Sequence, residues 1–374
     1  MLDGVHLTLL IGPTIPVPVP LPVIEALQSV QVTSAAGQRS GFQLSFALSP
    51  TSPLQTGLIP AGYFDPGMRV IIVVTMNAVP TVISDGVITR QDVAISNELG
   101  QSRLTVTGED ISLMMDLSDV VLKPFIGVPQ SGQVALIVAS YALYGLVPLI
   151  VPPIFEDYPV PIDRWDTQRG TDLEYVNEIA AMNGYVFYVV PGPLPGMNLA
   201  YFGPEIRVGV PQPALSVGLD AMTNVESLNF SMDGLSSTQY VVIVQEPETK
   251  IGIPIPVPSI SLLSPPLTLR PAPQLRSKRL GDVAQLDPVQ AMAQALAEAT
   301  KAADAVSATG RLDVARYGGI LQARGLVGVR GAGLAYDGIY YVKSVTHEIK
   351  AGEYMQSFTL TRNGLVSLTP VVLP

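Results

Sequence analysis

The stretch that most restricts the fold lies near the C-terminus. Tyr336-Asp337-Gly338-Ile339-Tyr340-Tyr341-Val342-Lys343-Ser344-Val345-Thr346-His347 is followed, across Lys350-Ala351-Gly352-Glu353, by Tyr354-Met355-Gln356-Ser357-Phe358-Thr359-Leu360-Thr361-Arg362-Asn363-Gly364. Both halves alternate and are rich in β-branched and aromatic residues, which predicts a β-hairpin. Asp337-Gly338 and Asn363-Gly364 flank it as turn formers. A fainter copy runs from Ile83-Ser84-Asp85-Gly86-Val87-Ile88-Thr89 through Ile95-Ser96-Asn97-Glu98-Leu99-Gly100 to Ser102-Arg103-Leu104-Thr105-Val106-Thr107-Gly108-Glu109. One unit used twice points to an assembly part built by duplication, not to a single-cleft enzyme.

Strand patterns fill residues 1–112: 6–11, 30–33, 42–48 and the continuous apolar run 68–74, with the 85–109 hairpin completing a first antiparallel β-domain. Residues 113–205 read as an α/β insert. A helix is expected over 134–144, ending at Gly145. A second is signed by the capping box Thr171-Asp172-Leu173-Glu174, with Leu173, Val176, Ile179 and Ala180 on one face, Gly184 as its stop and a strand over 185–190. Residues 206–374 return to strands. Those over 225–231 and 239–244 straddle Asp233-Gly234, a hairpin matching the one at 30–48. One inserted helix is expected over 288–308, capped by Asp287, opened by Pro288, lined by Val289, Met292, Leu296, Ala299, Ala303 and Val306, and ended by Gly310.

Composition excludes several classes. With 33 Gly and 34 Pro in 374 residues, many short strands and turns are the economical reading, and 48% hydrophobic against 14% charged residues excludes disorder. A net charge of −10 speaks against specific nucleic-acid binding, and Arg276-Ser277-Lys278-Arg279 is too short a basic cluster to reverse that. The absence of cysteine removes disulfides, thiolate metal sites and cysteine nucleophiles. Residues 134–155 carry no charge and could span a bilayer by length, but Pro148, Pro152 and Pro153 break the second half, so no stable membrane insertion is expected. The N-terminus shows no basic leader, and its apolar stretch is interrupted by Pro13, Pro16, Pro18, Pro20 and Pro22. Two tracts, Ile15-Pro16-Val17-Pro18-Val19-Pro20-Leu21-Pro22 and Ile253-Pro254-Ile255-Pro256-Val257-Pro258, read as stiff loops unable to pair as strands, or as arms gripping a neighbouring subunit.

No catalytic, cofactor or metal residues emerge. His6 and His347 both sit in strand patterns without metal-ligand spacing. Gly325, Gly328, Gly331 and Gly333 lack the Lys-Ser/Thr pair of a phosphate loop. Glu156, Asp157, Asp163 and Asp166 crowd one proline-rich loop with the single tryptophan, Trp165, but nothing there sets out two opposed carboxylates.

The pattern Gly331-x-Gly333-x-x-Tyr336-Asp337-Gly338-x-Tyr340-Tyr341-Val342-x-x-Val345-Thr346-His347, running into Phe358-Thr359-Leu360-Thr361-Arg362-Asn363, resembles the phage late-control protein D family. These are the baseplate hubs of contractile tails, shared with the hub half of VgrG proteins and with extracellular contractile injection systems. The segments 171–176 and 179–188, and the helix ahead of the closing strands, are similar as well. The resemblance implies a mainly β chain with an α/β insert and two tube-forming antiparallel β-barrel domains, assembling as a homotrimeric pseudo-sixfold ring. It implies a structural role adapting a sixfold inner tube to a threefold spike, with no cofactor. The implied partners are further copies of itself, the inner tube protein, a spike and sheath-side baseplate components. Because the chain ends ten residues after Gly364, the spike is expected to be a separate polypeptide. Assembly is expected in the bacterial cytoplasm, into a virion or an extracellular injection particle. The alternative is a hub-associated or free β-rich peptidoglycan hydrolase, and a membrane pore is a third class resting on residues 134–155 alone. In a trimer, whatever part of the acidic charge lined the channel would repel nucleic acid and other acidic cargo, letting them pass without sticking.

Overall fold

The computed structural model describes residues 4–98, 100–120, 122–153, 166–245, 252–257, 265–279 and 288–369. Its main sheet is built from two sets of six strands. The first is β1 (Val5–Gly12), β2 (Leu27–Ala35), β3 (Gly41–Ala47), β4 (Arg69–Met76), β5 (Val79–Ala94) and β6 (Arg103–Asp110). The second is β7 (Gln212–Ser216), β8 (Ser227–Met232), β9 (Val306–Asp313), β10 (Leu326–Arg330), β11 (Gly338–Lys350) and β12 (Glu353–Arg362). Hydrogen bonding orders them β2-β3-β6-β5-β4-β1 and β8-β9-β12-β11-β10-β7. Each strand of the second set therefore occupies the place of the strand six before it.

Matching defects support the correspondence. The β5–β6 ladder slips by one residue at Thr89, and the β11–β12 ladder slips at Lys343. A bulge re-aims everything beyond it, so two bulges at one place give two strands the same bend. Aligning them equates Asp85 with Ile339. The Asp-Gly pairs that look equivalent in sequence are therefore offset: Asp85-Gly86 lies inside β5, whereas Asp337-Gly338 opens β11. The copies differ at their first strands, since β1 runs antiparallel to β4 and β7 parallel to β10.

The two sets are joined edge to edge. The second half of β11 pairs antiparallel with β2, from Ser344 opposite Ala35 to Lys350 opposite Ser29. One 13-stranded sheet thus runs through both copies, with Val17–Pro18 as its last strand. Along this path the sheet stays open, ending at β8 and at Val17–Pro18.

Alternation gives the sheet one apolar face. Val30, Val32, Phe42, Leu44, Leu104 and Val106 of the first copy share a single core with Ala308, Leu312, Val342, Val345, Phe358 and Leu360 of the second. The opposite face is hydroxyl and amide, with Gln31, Gln43, Thr105, Thr107, Thr309, Ser357 and Thr359. Its charges include pairs of both signs, Arg90 with Asp92 and Arg311 with Glu348 and Glu353. Each copy also carries one glycine roofed by a cross-strand phenylalanine: a Cβ at Gly108 would lie 2.3 Å from the Phe42 ring, and one at Gly310 would lie 2.5 Å from the Phe358 ring.

Two sequence expectations fail together at β9. The helix expected over 288–308 is observed as Pro288–Lys301. Val306 starts a strand, and Gly310 is paired with Phe358 in mid-ladder instead of ending a helix. Val306, Ala308, Gly310 and Leu312 alternate, but the alanine-rich approach extends the helical period across them. With β9 hidden in that period, the next strand pattern is the nearest hairpin partner on offer to β8. In the structure β8 pairs with β9. Thr238–Gln245 instead leaves to form a separate small sheet with Gly252–Pro256 and Arg276–Arg279. Asp287 and Pro258 lie outside the described residues.

The proline tracts do pair. Leu10 and Ile11 face Pro18 and Val17, and Val19 donates to the Leu9 carbonyl. Residues 252–256 pair with 241–245. Proline at alternate positions removes N–H groups from one edge only, so the other edge can still join a ladder.

The insert has its own core. Helices α1 (Gln130–Ser140) and α2 (Asp172–Met182) pack Val134, Ile137, Val138, Leu173, Val176 and Ile179 against Ala200 and Phe202. The capping box at Thr171 and Glu174 is complete, each side chain accepting from the other's N–H at 3.1 Å. The uncharged stretch from 134 becomes a helix end, a turn at Gly145 (φ +75°) and the strand Leu146–Ile150, with 154–155 outside the described residues. Among the described residues no helix is long and apolar enough to cross a membrane.

Candidate functional site

The signature residues of the closing hairpin fall into two groups. One is a knot around Arg362, whose side chain is fully buried at the end of β12. Its guanidinium donates to the carbonyls of Gly364 (2.9 Å), Asp337 (2.9 Å) and Ala335 (2.8 Å), and lies 4.3 Å from the Tyr340 ring centroid. Asp337 accepts from the Ala332 N–H at 2.7 Å. Gly338 has φ +118°, and a Cβ there would fall 2.0 Å from Ser367 Cβ. Asn363 accepts from Leu267 N–H (3.1 Å) and Thr268 Oγ1 (3.2 Å). The knot ties the 331–338 turn to the ribbon formed by Thr268–Pro271 and Gly364–Ser367.

The other group lies along the ladder. Val345 and Phe358 are core residues. Tyr341 is buried beneath Arg207, 4.7 Å from its ring, and Arg207 pairs with Asp304 at 2.7 Å. His347 is buried beside Tyr354 (Nδ1 to hydroxyl, 2.8 Å) and Gln356 (3.3 Å). Burial lowers its pKa to about 4, so the imidazole is neutral in the fold. Unfolding exposes it to take up a proton below its ordinary pKa of 6.5. Stability is therefore unaffected above that pH and falls as pH drops from 6.5 towards 4, by up to ~3 kcal/mol. Denaturation midpoints of wild type and His347→Gln across this window should diverge, with the variant flatter; parallel curves would show that His347 protonates in the fold.

Sequence reasoning missed the most deeply buried ion pair among the described residues. Arg69 on β4 and Asp85 on β5 are 3% and 2% exposed and meet in two parallel contacts of 2.8 and 2.7 Å. Arg69 also donates to the carbonyls of Tyr144 (2.8 Å) and Gly196 (3.2 Å), and Asn198 donates to Asp85 (2.8 Å). The pair thus rivets the insert to the first copy. Arginine inside an apolar strand was the available signal, since such a charge needs a buried partner.

Two strand edges of the sheet are open over part of their length. Among the described residues, β5 beyond Ile88 is paired on one side only, by β6, and β8 is paired only by β9. Both edges present apolar groups, Val93 being 44% exposed, Ile95 73% and Met232 39%. Unpaired edges bearing apolar side chains are templates for another chain.

The remaining candidates do not converge on a reaction centre. Asp166 accepts from Gln133 at 2.8 Å, while Glu156, Asp157, Asp163 and Trp165 lie outside the described residues. His6 is exposed on β1, far along the chain from His347. Among the described residues no three His, Cys, Asp or Glu side chains are grouped so as to hold a metal.

The fold is shared by solved tail proteins. A tail protein from Neisseria meningitidis MC58 matches over 97% of this chain and 98% of its own, at 13% identity and a TM-score of 0.62. The 43 kDa tail protein of prophage MuSo2 from Shewanella oneidensis matches over 96% and 98%, at 10% identity and 0.61. A chain of the Francisella PdpA-VgrG complex covers all of this chain with 54% of its own length, at 9% identity and 0.57. No protein-family model and no curated protein matches the sequence. The chain has the fold of phage tail and VgrG-type hub proteins.

Proposed function

We propose that this chain is the structural hub of a contractile-tail baseplate, in a phage or a phage-tail-like injection particle. Three copies form a ring of six tube-like units that mates a sixfold inner tube to a threefold spike. The observation that supports this reading most is the twofold use of one six-strand unit, with the copies already joined by a continuous ladder at β11–β2. Repeating that join between chains turns three subunits into six equivalent positions. Each barrel is then completed by a neighbour, and the hydroxyl- and amide-rich face lines a polar, near-neutral channel.

In this reading residues 1–112 and 206–374 are the two tube domains, and 113–205 lies outside the ring. The inner tube protein, a spike and sheath-side baseplate proteins are its partners. Assembly takes place in the bacterial cytoplasm before incorporation into the particle. The role is structural, and the hairpin residues around Arg362 act by fixing the shape of the second unit.

Light scattering of the purified chain tests the reading. A trimer is expected, with ring-shaped particles in negative stain. A stable monomer or dimer at the highest attainable concentration would sink it.

A further inference from the structure

The internal repeat specifies how one copy meets the next. Aligning the bulges at Thr89 and Lys343 equates Arg90, Asp92 and Val93 of β5 with Ser344, Thr346 and His347 of β11. Carrying the register across β6–β3–β2 and β12–β9–β8 equates Val32, Thr33 and Ala35 with Phe230, Ser231 and Asp233. Inside the chain the join pairs Ser344 with Ala35, Thr346 with Thr33, His347 with Val32 and Ile349 with Val30. The counterparts of β11 and β2 are the two open edges, β5 and β8.

We infer that β5 of one subunit pairs antiparallel with β8 of a second copy of this chain, with Arg90 opposite Asp233, Asp92 opposite Ser231 and Val93 opposite Phe230. Ile95 then falls opposite Leu228. The inference rests on the hub reading and deepens it by naming the edges and the register.

Three observations favour this occupant. The first is burial. At the internal join Val30, Val32, Val345 and Ile349 belong to the core. Their row continues to the open edges as Val93 and Ile95, which are exposed, and as Leu228 and Phe230, which pack against the core from its rim. Pairing the edges would complete the same buried row. The second is polarity: on the other face Thr33 and Thr346 hydroxyls meet at 3.1 Å, and Asp92 and Ser231 are a donor–acceptor pair in the corresponding place. The third is charge, since Arg90 meets Asp233 at the end of the ladder. A register slip of one residue would turn Val93 and Ile95 onto the polar face.

The chain has no cysteine, so introduced thiols report cleanly. Asp92→Cys/Ser231→Cys places thiols on opposed residues, within disulfide reach only if the register is correct. These positions lie on edges separated by six intervening strands of the sheet, so a bond between them joins different chains. Oxidation is expected to convert the double variant into a covalent trimer on non-reducing gels. The displaced pair Asp92→Cys/Asn229→Cys sits ~7–8 Å apart and should link at least about tenfold more slowly. Val93→Asp should weaken self-association by about 100-fold, as for a central apolar contact. A trimer in light scattering that fails to cross-link, or links equally well through the displaced pair, overturns the register and leaves the hub reading intact. A reduced double variant that stays monomeric while wild type is trimeric shows damage by the substitutions, and Val93→Asp then decides alone: unchanged association overturns the inference. A monomeric wild type removes both.

Discussion

Replacing Arg69 by leucine is expected to cost about 3–5 kcal/mol, a large part of the ~5–15 kcal/mol that holds a typical domain. The reason is what remains. Asp85 would stay buried with Asn198 as its remaining side-chain donor, the carbonyls of Thr14 and Gly196 would lose theirs, and Tyr144 would keep only the 3.5 Å contact from Asn198. Breaking one side of a buried pair leaves an uncompensated charge, whereas removing both sides leaves an apolar contact. Arg69→Leu/Asp85→Leu should therefore recover much of the loss in urea denaturation. Because the pair holds the insert to the first copy, limited proteolysis of Arg69→Leu should cut near Gly196 before the sheet yields. If Arg69→Leu lies within about 1 kcal/mol of wild type, water reaches Asp85 and the rivet is not dry.

Phe358→Ala is expected to cost a similar ~3–5 kcal/mol by opening a cavity in the shared core. The ring is 3% exposed and roofs Gly310 across the β9–β12 ladder. No side chain at Gly310 can fill the space left behind. Gly310→Ala alone should destabilise too, since its Cβ would meet the ring at 2.5 Å and the Ser227 carbonyl at 2.6 Å. With the ring removed half of that clash disappears, so the two substitutions should be less than additive in a double-mutant cycle. A Phe358→Ala protein that melts within a degree or two of wild type would remove Phe358 from the core. Strict additivity would show that ring and glycine do not touch.

Strand existence was legible because alternation is local. Val30 and Val32, Leu104 and Val106, and Val345 and Phe358 each declare a buried face within their own segment. The capping box at Thr171 was equally plain, since it needs only four consecutive residues. The repeat was visible for the same reason, as two hairpins of one pattern.

Strand partnership was not legible. The edge that β8 uses is decided by β9, a distant segment that sets Arg311 opposite Ser227 at one end and Val306 opposite Met232 at the other. That choice depends on which apolar rows complete a common core, which no local window contains. The same limit hid the partners of Arg69: its place in an apolar strand called for one, but only the fold brought it to Asp85 and to Tyr144 and Gly196 of the insert. The two Asp-Gly pairs looked alike by composition and differ by register. Sequence alone showed the β5–β6 and β11–β12 hairpins as one repeated unit, because hydrophobic period is written residue by residue. Only the tertiary structure decided how its copies join, because a ladder is chosen by non-local burial, and it is that join which leaves β5 and β8 open to another chain.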